Sequence, residues 1–175
     1  MFHPDFELLI KPLVEDFKAP AVQKPDSAGY DLFAQEDIVL TKTAQTDIKC
    51  GFATAFRRKG DLVSTAGGVE ISTTVKDAGV GISAEILPRS GFGRKNGMRI
   101  ANTIGLIDSD YRGEWIVCAY IEDKPWYPDE LHIPKGTAFA QAVFKPVFRA
   151  SQMIITDVLP ESERGEGGFG STTGK

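Results

Sequence analysis

The sequence has little cysteine, no long apolar run and no excess of basic residues. Its 175 residues include 20 Lys and Arg against 24 Asp and Glu, so the net charge is −4. A protein that binds the nucleic-acid backbone needs a basic face, and we therefore expect no stable nucleic-acid binding. A small anionic ligand needs only a few local arginines and is compatible with this composition.

The two cysteines, Cys50 and Cys118, lie far apart and form no C-x-x-C pair. We expect two small buried residues rather than a disulfide or a metal site. No apolar run approaches the roughly 18 residues of a membrane span. Residues 2–5 lack the charged-then-apolar pattern of a signal peptide. The sequence therefore predicts a soluble protein of a reducing, cytoplasmic compartment, without membrane binding.

Long segments of helical periodicity are also lacking. Short runs rich in β-branched and aromatic residues recur instead, separated by Gly, Pro, Asp and Asn, which is typical of an all-β sandwich or barrel. The best short helix candidate is Ser90–Asn96, which follows a proline. The clearest predicted strands are 37–40, 51–56, 82–87, 115–121, 138–146 and 153–158.

Two segments differ from the rest of this predicted β domain, which we place at residues 1–160. Residues 57–79 contain four glycines around an alternating apolar run. They predict an additional β-hairpin arm, which either decorates the surface or serves as a lid or partner-binding arm. Residues 161–175 contain five glycines and few core-forming residues. They predict either a disordered tail or a glycine-rich arm that becomes ordered over a phosphate.

Four short stretches have residue types suited to a nucleotide. In Pro88-Arg89-Ser90-Gly91, the forked donors of Arg89 suit a phosphate, although taken alone the stretch is more typical of a polar strand-to-turn junction. Asn102 offers paired donor and acceptor groups that can match a base edge, or it is a turn residue. Gln141 could donate to a phosphate or be an ordinary edge residue. The tail RGEGGFGSTTG, residues 164–174, could form a clamp over phosphate and base.

The stretch GLIDSDYRGEW, residues 105–115, concentrates acidic side chains and an aromatic ring at one bend. Asp108, Asp110 and Tyr111 could form a polar turn in which the Asp side chains satisfy backbone N–H groups. Alternatively, one carboxylate deprotonates or orients a water molecule and the ring supplies a flat ligand surface. The residues alone leave both interpretations open.

Taken together and in order, five stretches closely resemble the five motifs of the trimeric deoxyuridine triphosphate nucleotidohydrolases, the dUTPases. They are residues 28–32 (AGYDL), 88–91, 105–113, 136–141 and 164–174. The resemblance implies a jelly-roll fold resembling a β-barrel, a homotrimer with three shared active sites, and Mg²⁺-assisted hydrolysis of dUTP to dUMP and pyrophosphate. It also implies that the enzyme feeds dTMP synthesis and keeps uracil out of DNA.

The resemblance also implies roles for single residues. Asp108 matches the aspartate that activates the attacking water, and Tyr111 matches the tyrosine that stacks under the deoxyribose and excludes a 2′-hydroxyl. Asp31 matches the aspartate that supports the metal, usually through water. The pocket that reads uracil corresponds to Asn102, Gly105, Leu106 and Ile107. The triphosphate contacts correspond to Arg89, Ser90, Gly91 and Gln141. The closing tail corresponds to Arg164, Phe169, Gly170 and Ser171, with Phe169 over the uracil.

Three departures from the family pattern stand out. The fourth motif usually has an arginine where this chain has Ala138, and Arg94, Arg99 and Arg112 are candidates to replace it. The tail reads Ser-Thr-Thr-Gly, one residue longer than usual. The insertion at 57–79 is longer than the turn expected there. Insertions near this region occur in phage members of the family, so the insertion is compatible with a viral origin. For a viral protein the expected compartment is the host cytoplasm.

Two alternatives remain at this stage. A dCTP deaminase of the same fold would need a glutamate base near the pyrimidine amino group, for which Glu85 and Glu114 are the nearest candidates. A nucleotide-switched regulatory protein would use the arm at 57–79 to bind a protein partner, either as its sole function or beside hydrolysis. The Asp-x-Asp-Tyr pattern favours the hydrolase.

Overall fold

The computed structural model describes residues 6–58, 80–148, 150–163 and 165. Within these ranges the chain forms eleven strands and one short helix, and the described strands pair only in antiparallel fashion. In chain order they are β1 (Phe6–Pro12), β2 (Tyr30–Phe33), β3 (Ile38–Thr41), β4 (Thr46–Lys49), β5 (Phe52–Arg58), β6 (Val80–Pro88), α1 (Ser90–Asn96), β7 (Met98–Ile100), β8 (Gly105–Ile107), β9 (Ile116–Ile121), β10 (Glu130–Ile133) and β11 (Ala138–Phe148).

The strands form small sheets around one hydrophobic core. The largest has the order β2-β11-β6-β8, a second has the order β4-β9-β7, and two pairs, β1-β5 and β10-β3, complete the set. Strands distant in sequence are neighbours in each sheet, as in a jelly roll. The all-β prediction with little helix is therefore confirmed.

Strand alternation explains which side chains form the core. In β9, Val117, Ala119 and Ile121 are buried while Ile116 is exposed, as expected where one sheet face is covered. Trp115, just before β9, is fully buried, and its Nε1 donates a hydrogen bond to Thr54 Oγ1 at 3.0 Å. The loop that precedes Trp115 is thereby attached to the core at its C-terminal end.

The helix prediction is confirmed, since α1 spans Ser90–Asn96. It ends at Gly97, which has φ of +72° and donates its N–H to the Gly93 carbonyl. An added Cβ at Gly97 would lie 2.5 Å from the Tyr127 ring, so both the backbone and the packing require glycine here. The helix therefore stops directly before β7.

Five of the predicted strands are confirmed within two residues at each boundary, but the prediction of a strand at 153–158 is wrong. That segment is irregular, and Met153, Ile154 and Ile155 are 92%, 74% and 101% exposed. A strand needs a partner edge for its backbone groups, and no described strand pairs with this segment. Its apolar residues alone therefore do not make it a strand.

Two predicted features lie largely outside the described residues. The predicted arm falls on residues 59–79, apart from its first two residues, which end β5. The tail prediction falls mainly on residues 164 and 166–175. Both stay predictions, as does the division at residue 160. Among the described residues, no helix has the length and apolar character needed to cross a membrane.

Candidate functional site

The first part of the candidate site is a cavity of about 640 Å³ beside α1, which we call the α1 cavity. It lies where β2, the end of β6 and β11 meet the helix. Its lining includes Asp31, Arg89, Ser90, Gly91 and Gln141. The antiparallel register brings these distant residues together, because Gln141 lies opposite both Asp31 and Leu87. All five were predicted from sequence as phosphate or metal-site residues.

An ion pair forms part of the wall of the α1 cavity. Arg89 Nε lies 2.9 Å from Asp31 Oδ1, and Arg89 Nη1 donates to the Ala138 carbonyl at 3.1 Å. The Asp31 side chain is only 8% exposed, whereas that of Arg89 is 39% exposed. Asp31 Oδ2 is buried and accepts no hydrogen bond from the described residues. A buried carboxylate oxygen of this kind can accept one more donor, such as a water molecule.

The three arginines considered as replacements at position 138 do not contact Asp31. Arg99 pairs with Glu122, and Arg112 donates to carbonyls of its own loop. Arg94 is exposed on α1 and makes no ion pair with the described residues. Within this chain Arg89 itself reaches both Asp31 and the backbone at position 138, and a contact of one of the three arginines with the phosphates stays a prediction.

Gln141 is held in place by its neighbours. Its Nε2 donates to the Pro88 carbonyl at 3.2 Å, which leaves its Oε1 beside Gly29. An added Cβ at Gly29 would lie 2.6 Å from that oxygen. A side chain at position 29 would therefore displace Gln141 from the cavity wall.

The second part of the site is the loop between β8 and β9, residues 108–115, which we call the acidic hairpin for its bend, although β8 and β9 lie in different sheets and do not pair with each other. Asp108 and Tyr111 are exposed and line a cavity of about 230 Å³ together with Glu114. The Tyr111 hydroxyl donates to the Glu114 carbonyl at 3.1 Å. An added Cβ at Gly113 would lie 2.3 Å from the Tyr111 Oη, so the ring occupies the space that this glycine leaves open.

A third and smaller cavity, of about 80 Å³, contains two of the residues predicted to read a base. Asn102 and Gly105 line it with Ile116 and Cys118. The remaining predicted base-reading residues, Leu106 and Ile107, line the cavity of the acidic hairpin instead. Ile116 lines both cavities and was missed from the sequence. The strand alternation of β9, which points Ile116 outward, is the signal that could have identified it.

The α1 cavity and the acidic hairpin do not meet within one chain. The cavities of about 230 Å³ and about 80 Å³ are called the hairpin-side cavities below. Among the described residues, none lines both the α1 cavity and either of the hairpin-side cavities. The fold therefore presents the predicted phosphate-binding residues on one surface and the predicted general base, Asp108, on another. The predicted tail residues Arg164, Phe169, Gly170 and Ser171 lie outside the described residues.

Glu114 connects the acidic hairpin to the core. Its Oε1 accepts a hydrogen bond from the Gly51 N–H at 2.9 Å.

Burial raises the pKa of the neighbouring Cys50 thiol to about 12, and the negative charge of Glu114 adds to this effect. Cys50 is buried as predicted, whereas Cys118 is only partly buried. The pKa of Cys118 is raised by burial and by its contact with Asp47.

In the part of the chain that the structure describes, no group of three or more His, Cys, Asp and Glu side chains could hold a metal ion directly. Asp31 is the acidic residue that lines the α1 cavity. Its unpaired Oδ2 fits a metal held through water rather than an all-protein site, since Mg²⁺ normally retains several water ligands.

Comparison with protein families gives one match. Residues 62–173 match the family model described as dUTPase. The chain is 37% identical over 171 residues to a deoxyuridine 5′-triphosphate nucleotidohydrolase of Haemophilus ducreyi, covering 97% of this chain and 96% of the relative. It is 36% identical over 157 residues to the protein of that name from Aeromonas salmonicida, covering 90% and 88% respectively.

The fold resembles solved structures of staphylococcal phage proteins. A point mutant of the bacteriophage 80alpha dUTPase with dUpNHpp superposes with a TM-score of 0.70 at 23% identity, covering 94% of this chain and 97% of that one. A mutant dUTPase from phage phi11 of S. aureus, described with a structural Mg(II) ion, gives a TM-score of 0.61 at 20% identity, covering 85% and 96%. At these identities the likeness concerns the fold.

Proposed function

As this chain belongs to the dUTPase family and hydrolyses dUTP to dUMP and pyrophosphate, we propose that its active site is assembled from surfaces of different subunits. The observation that carries this proposal is the separation of the α1 cavity from the acidic hairpin. Hydrolysis needs the phosphates and the attacking water at one place. A symmetric homotrimer can bring the α1 cavity of one subunit against the acidic hairpin of another.

The α1 cavity binds the triphosphate in this proposal. Arg89, Ser90 and Gln141 supply hydrogen-bond donors, and Gly91 leaves open space, because no atom of the described residues lies within 4 Å of an added Cβ there. The ion pair with Asp31 holds the Arg89 guanidinium in one orientation. Fixed donors stabilise developing charge better than mobile ones, because they need no reorganisation during the reaction.

Asp108 acts as the general base. Its exposed carboxylate accepts a proton from a water molecule, whose oxygen forms a bond to the α-phosphorus. The bond from the α-phosphorus to the bridging oxygen breaks, and that oxygen leaves with pyrophosphate. The Asp108 carbonyl accepts a hydrogen bond from the Tyr111 N–H at 3.1 Å, so the base and the ring belong to one turn.

The residues that line the hairpin-side cavities select the substrate. The Tyr111 ring lies under the deoxyribose, and its bond to the Glu114 carbonyl fixes the space left at the 2′ position. Asn102 and the backbone of Gly105, Leu106 and Ile107 form the uracil pocket, with Ile116 between the two hairpin-side cavities. Shape complementarity of this kind excludes thymine and ribose through steric contact.

Mg²⁺ is the cofactor in this proposal, and it would stabilise negative charge on the phosphate oxygens when bound. Asp31 is the residue that would support it, through a water molecule that donates to Oδ2.

We further propose that Arg164, Phe169, Gly170 and Ser171 close over the bound nucleotide, with Phe169 above the uracil. The expected location is the cytoplasm. Binding of a protein partner through the 57–79 arm remains a separate prediction.

The experiment is pyrophosphate release by the purified protein with Mg²⁺ and dUTP, dTTP, dCTP or UTP, with ammonia assayed in parallel. We expect release from dUTP alone, and Asp108→Asn should abolish most of it while leaving the fold intact. Ammonia release from dCTP would support a deaminase instead. Both glutamates considered for that activity are already engaged, since Glu85 pairs with Lys145 and Glu114 binds the Gly51 N–H.

A further inference from the structure

One face of α1 extends the α1 cavity beyond the residues that sequence motifs identify. Phe92, Lys95 and Asn96 line the cavity together with Ser90 and Gly91. Residues three and four positions apart share a helix face, so Lys95 and Asn96 lie on the same side of α1 as Phe92. Arg94, the neighbouring basic residue, does not line the cavity. The helix thus presents one cation to the cavity and directs the other elsewhere.

The charges around the α1 cavity give Lys95 a distinct position. Among the described residues, the charged side chains that line it are those of Asp31, Arg89 and Lys95. Arg89 and Asp31 form an ion pair, so their charges largely cancel. Within residues 6–58, 80–148, 150–163 and 165, Lys95 makes no ion pair and no side-chain hydrogen bond. It is the lining cation with no protein partner among those residues, and it is exposed.

We propose that Lys95 binds the phosphates of dUTP beyond the α-phosphate, that is, the part that leaves as pyrophosphate. This inference rests on the proposed function of the α1 cavity. Lys95 follows Arg89 by six residues, which corresponds to about 9 Å along a helix. A triphosphate is extended enough to contact both cations. In this inference a single phosphate held near Arg89 and Ser90 does not reach Lys95.

The ammonium group also suits the chemistry of this position. Lysine supplies a point charge on a flexible stem, which can follow a terminal phosphate at the cavity mouth without the fixed geometry of a guanidinium. Arg89, by contrast, is anchored at two points and can orient the reacting end. Arg89 would therefore position the reacting end of the nucleotide, and Lys95 would neutralise charge on the terminal phosphates.

The test compares Lys95→Gln with Arg94→Gln, which removes the same charge from the adjacent position of the same helix. Binding of a non-hydrolysable dUTP analogue and of dUMP is measured by calorimetry with Mg²⁺. We expect Lys95→Gln to weaken binding of the analogue about ten-fold, the loss of one charge-assisted hydrogen bond, with dUMP binding unchanged. Arg94→Gln should bind both like the wild type, and Lys95→Arg should recover most of the loss.

Two results would overturn the inference. Unchanged binding of the analogue by Lys95→Gln would show that the side chain does not contact the phosphates. An equal loss for dUMP and for the analogue would place Lys95 at the α-phosphate or in a structural role. Failure of the proposed role of the α1 cavity gives a different result, because Arg89→Gln would then also leave binding of the analogue unchanged.

Discussion

Asp31 and Arg89 form a 2.9 Å ion pair at the wall of the α1 cavity, and the same arginine donates to the Ala138 carbonyl. The resemblance to the family motifs predicts an arginine at position 138, where this chain has alanine. No second guanidinium is needed to hold Asp31, because Arg89 reaches it directly. The arginine of the second motif thus joins β2, α1 and β11 at one point.

Replacing Asp31 with Asn should uncouple Arg89 from this arrangement. We expect turnover of dUTP to fall at least ten-fold and the free energy of unfolding to fall by about 1 kcal/mol, because a charge-assisted hydrogen bond is lost. Raising the Mg²⁺ concentration should recover part of the activity if Asp31 supports the metal. Steady-state kinetics and urea denaturation provide the two measurements. Wild-type kinetics in Asp31→Asn would refute this role for the pair.

Replacing Gly113 with Ala should move the Tyr111 ring. The added methyl group would lie 2.3 Å from the Tyr111 Oη, so the hydrogen bond to the Glu114 carbonyl must break. We expect kcat/KM for dUTP to fall about ten-fold, as a misplaced binding group costs this much or more. Relative activity toward UTP should rise.

The matched control for this substitution is Gly81→Ala. Among the described residues, an added Cβ at Gly81 meets Ser109 Oγ alone, at 4.0 Å, which is an ordinary contact. This variant should retain wild-type kinetics and wild-type selectivity. If Gly113→Ala behaves like the control, the position of the Tyr111 ring does not determine the selection of deoxyribose.

Cys50 should contribute a pH dependence to stability. The pKa of its thiol rises from 9.0 to about 12 because the side chain is buried, with Glu114 as a second cause. Between these values the unfolded chain loses the proton and the folded chain keeps it. The free energy of unfolding should therefore fall with rising pH in this window, by at most about 1.4 kcal/mol per pH unit.

Urea denaturation at pH 8 and pH 10.5 checks this prediction. The wild-type protein should lose more stability between the two pH values than Cys50→Ala does, because the variant lacks the titrating group. The difference between the two proteins at pH 8 reflects the cavity left by the substitution, and only the change in that difference between pH 8 and pH 10.5 tests the prediction. Equal losses in the two proteins would show that the thiol titrates alike in both states.

The sequence predicted local structure well where the signal is local. Pro88 and the residues after it indicated α1, and the alternation of apolar residues indicated most strands. The run at 153–158 has the same composition as a strand, yet it is exposed and irregular. Composition reports the suitability of a segment for a sheet but does not show whether a partner edge is available.

The candidate site was predicted as a set of residues, but its spatial division was not. Strand register places Gln141 opposite Asp31 and Leu87, and this register depends on contacts far apart in sequence. Lys95 was missed because its motif was read only as far as Gly91. Ile116 was missed because an apolar residue in a strand is usually a core residue. The alternation along β9 is the signal that places Ile116 on the exposed face.

The central claim is that one active site combines the α1 cavity of one subunit with the acidic hairpin of another. Mixing two inactive variants, Asp108→Asn and Arg89→Gln, tests it most directly. After denaturation and refolding of an equal mixture, roughly a quarter of the sites should pair an intact α1 cavity with an intact acidic hairpin, as in a heterologous ring. Activity near one quarter of the wild-type value would agree with the claim. No recovery from folded mixed trimers would contradict it, because every site would then carry both parts on one chain.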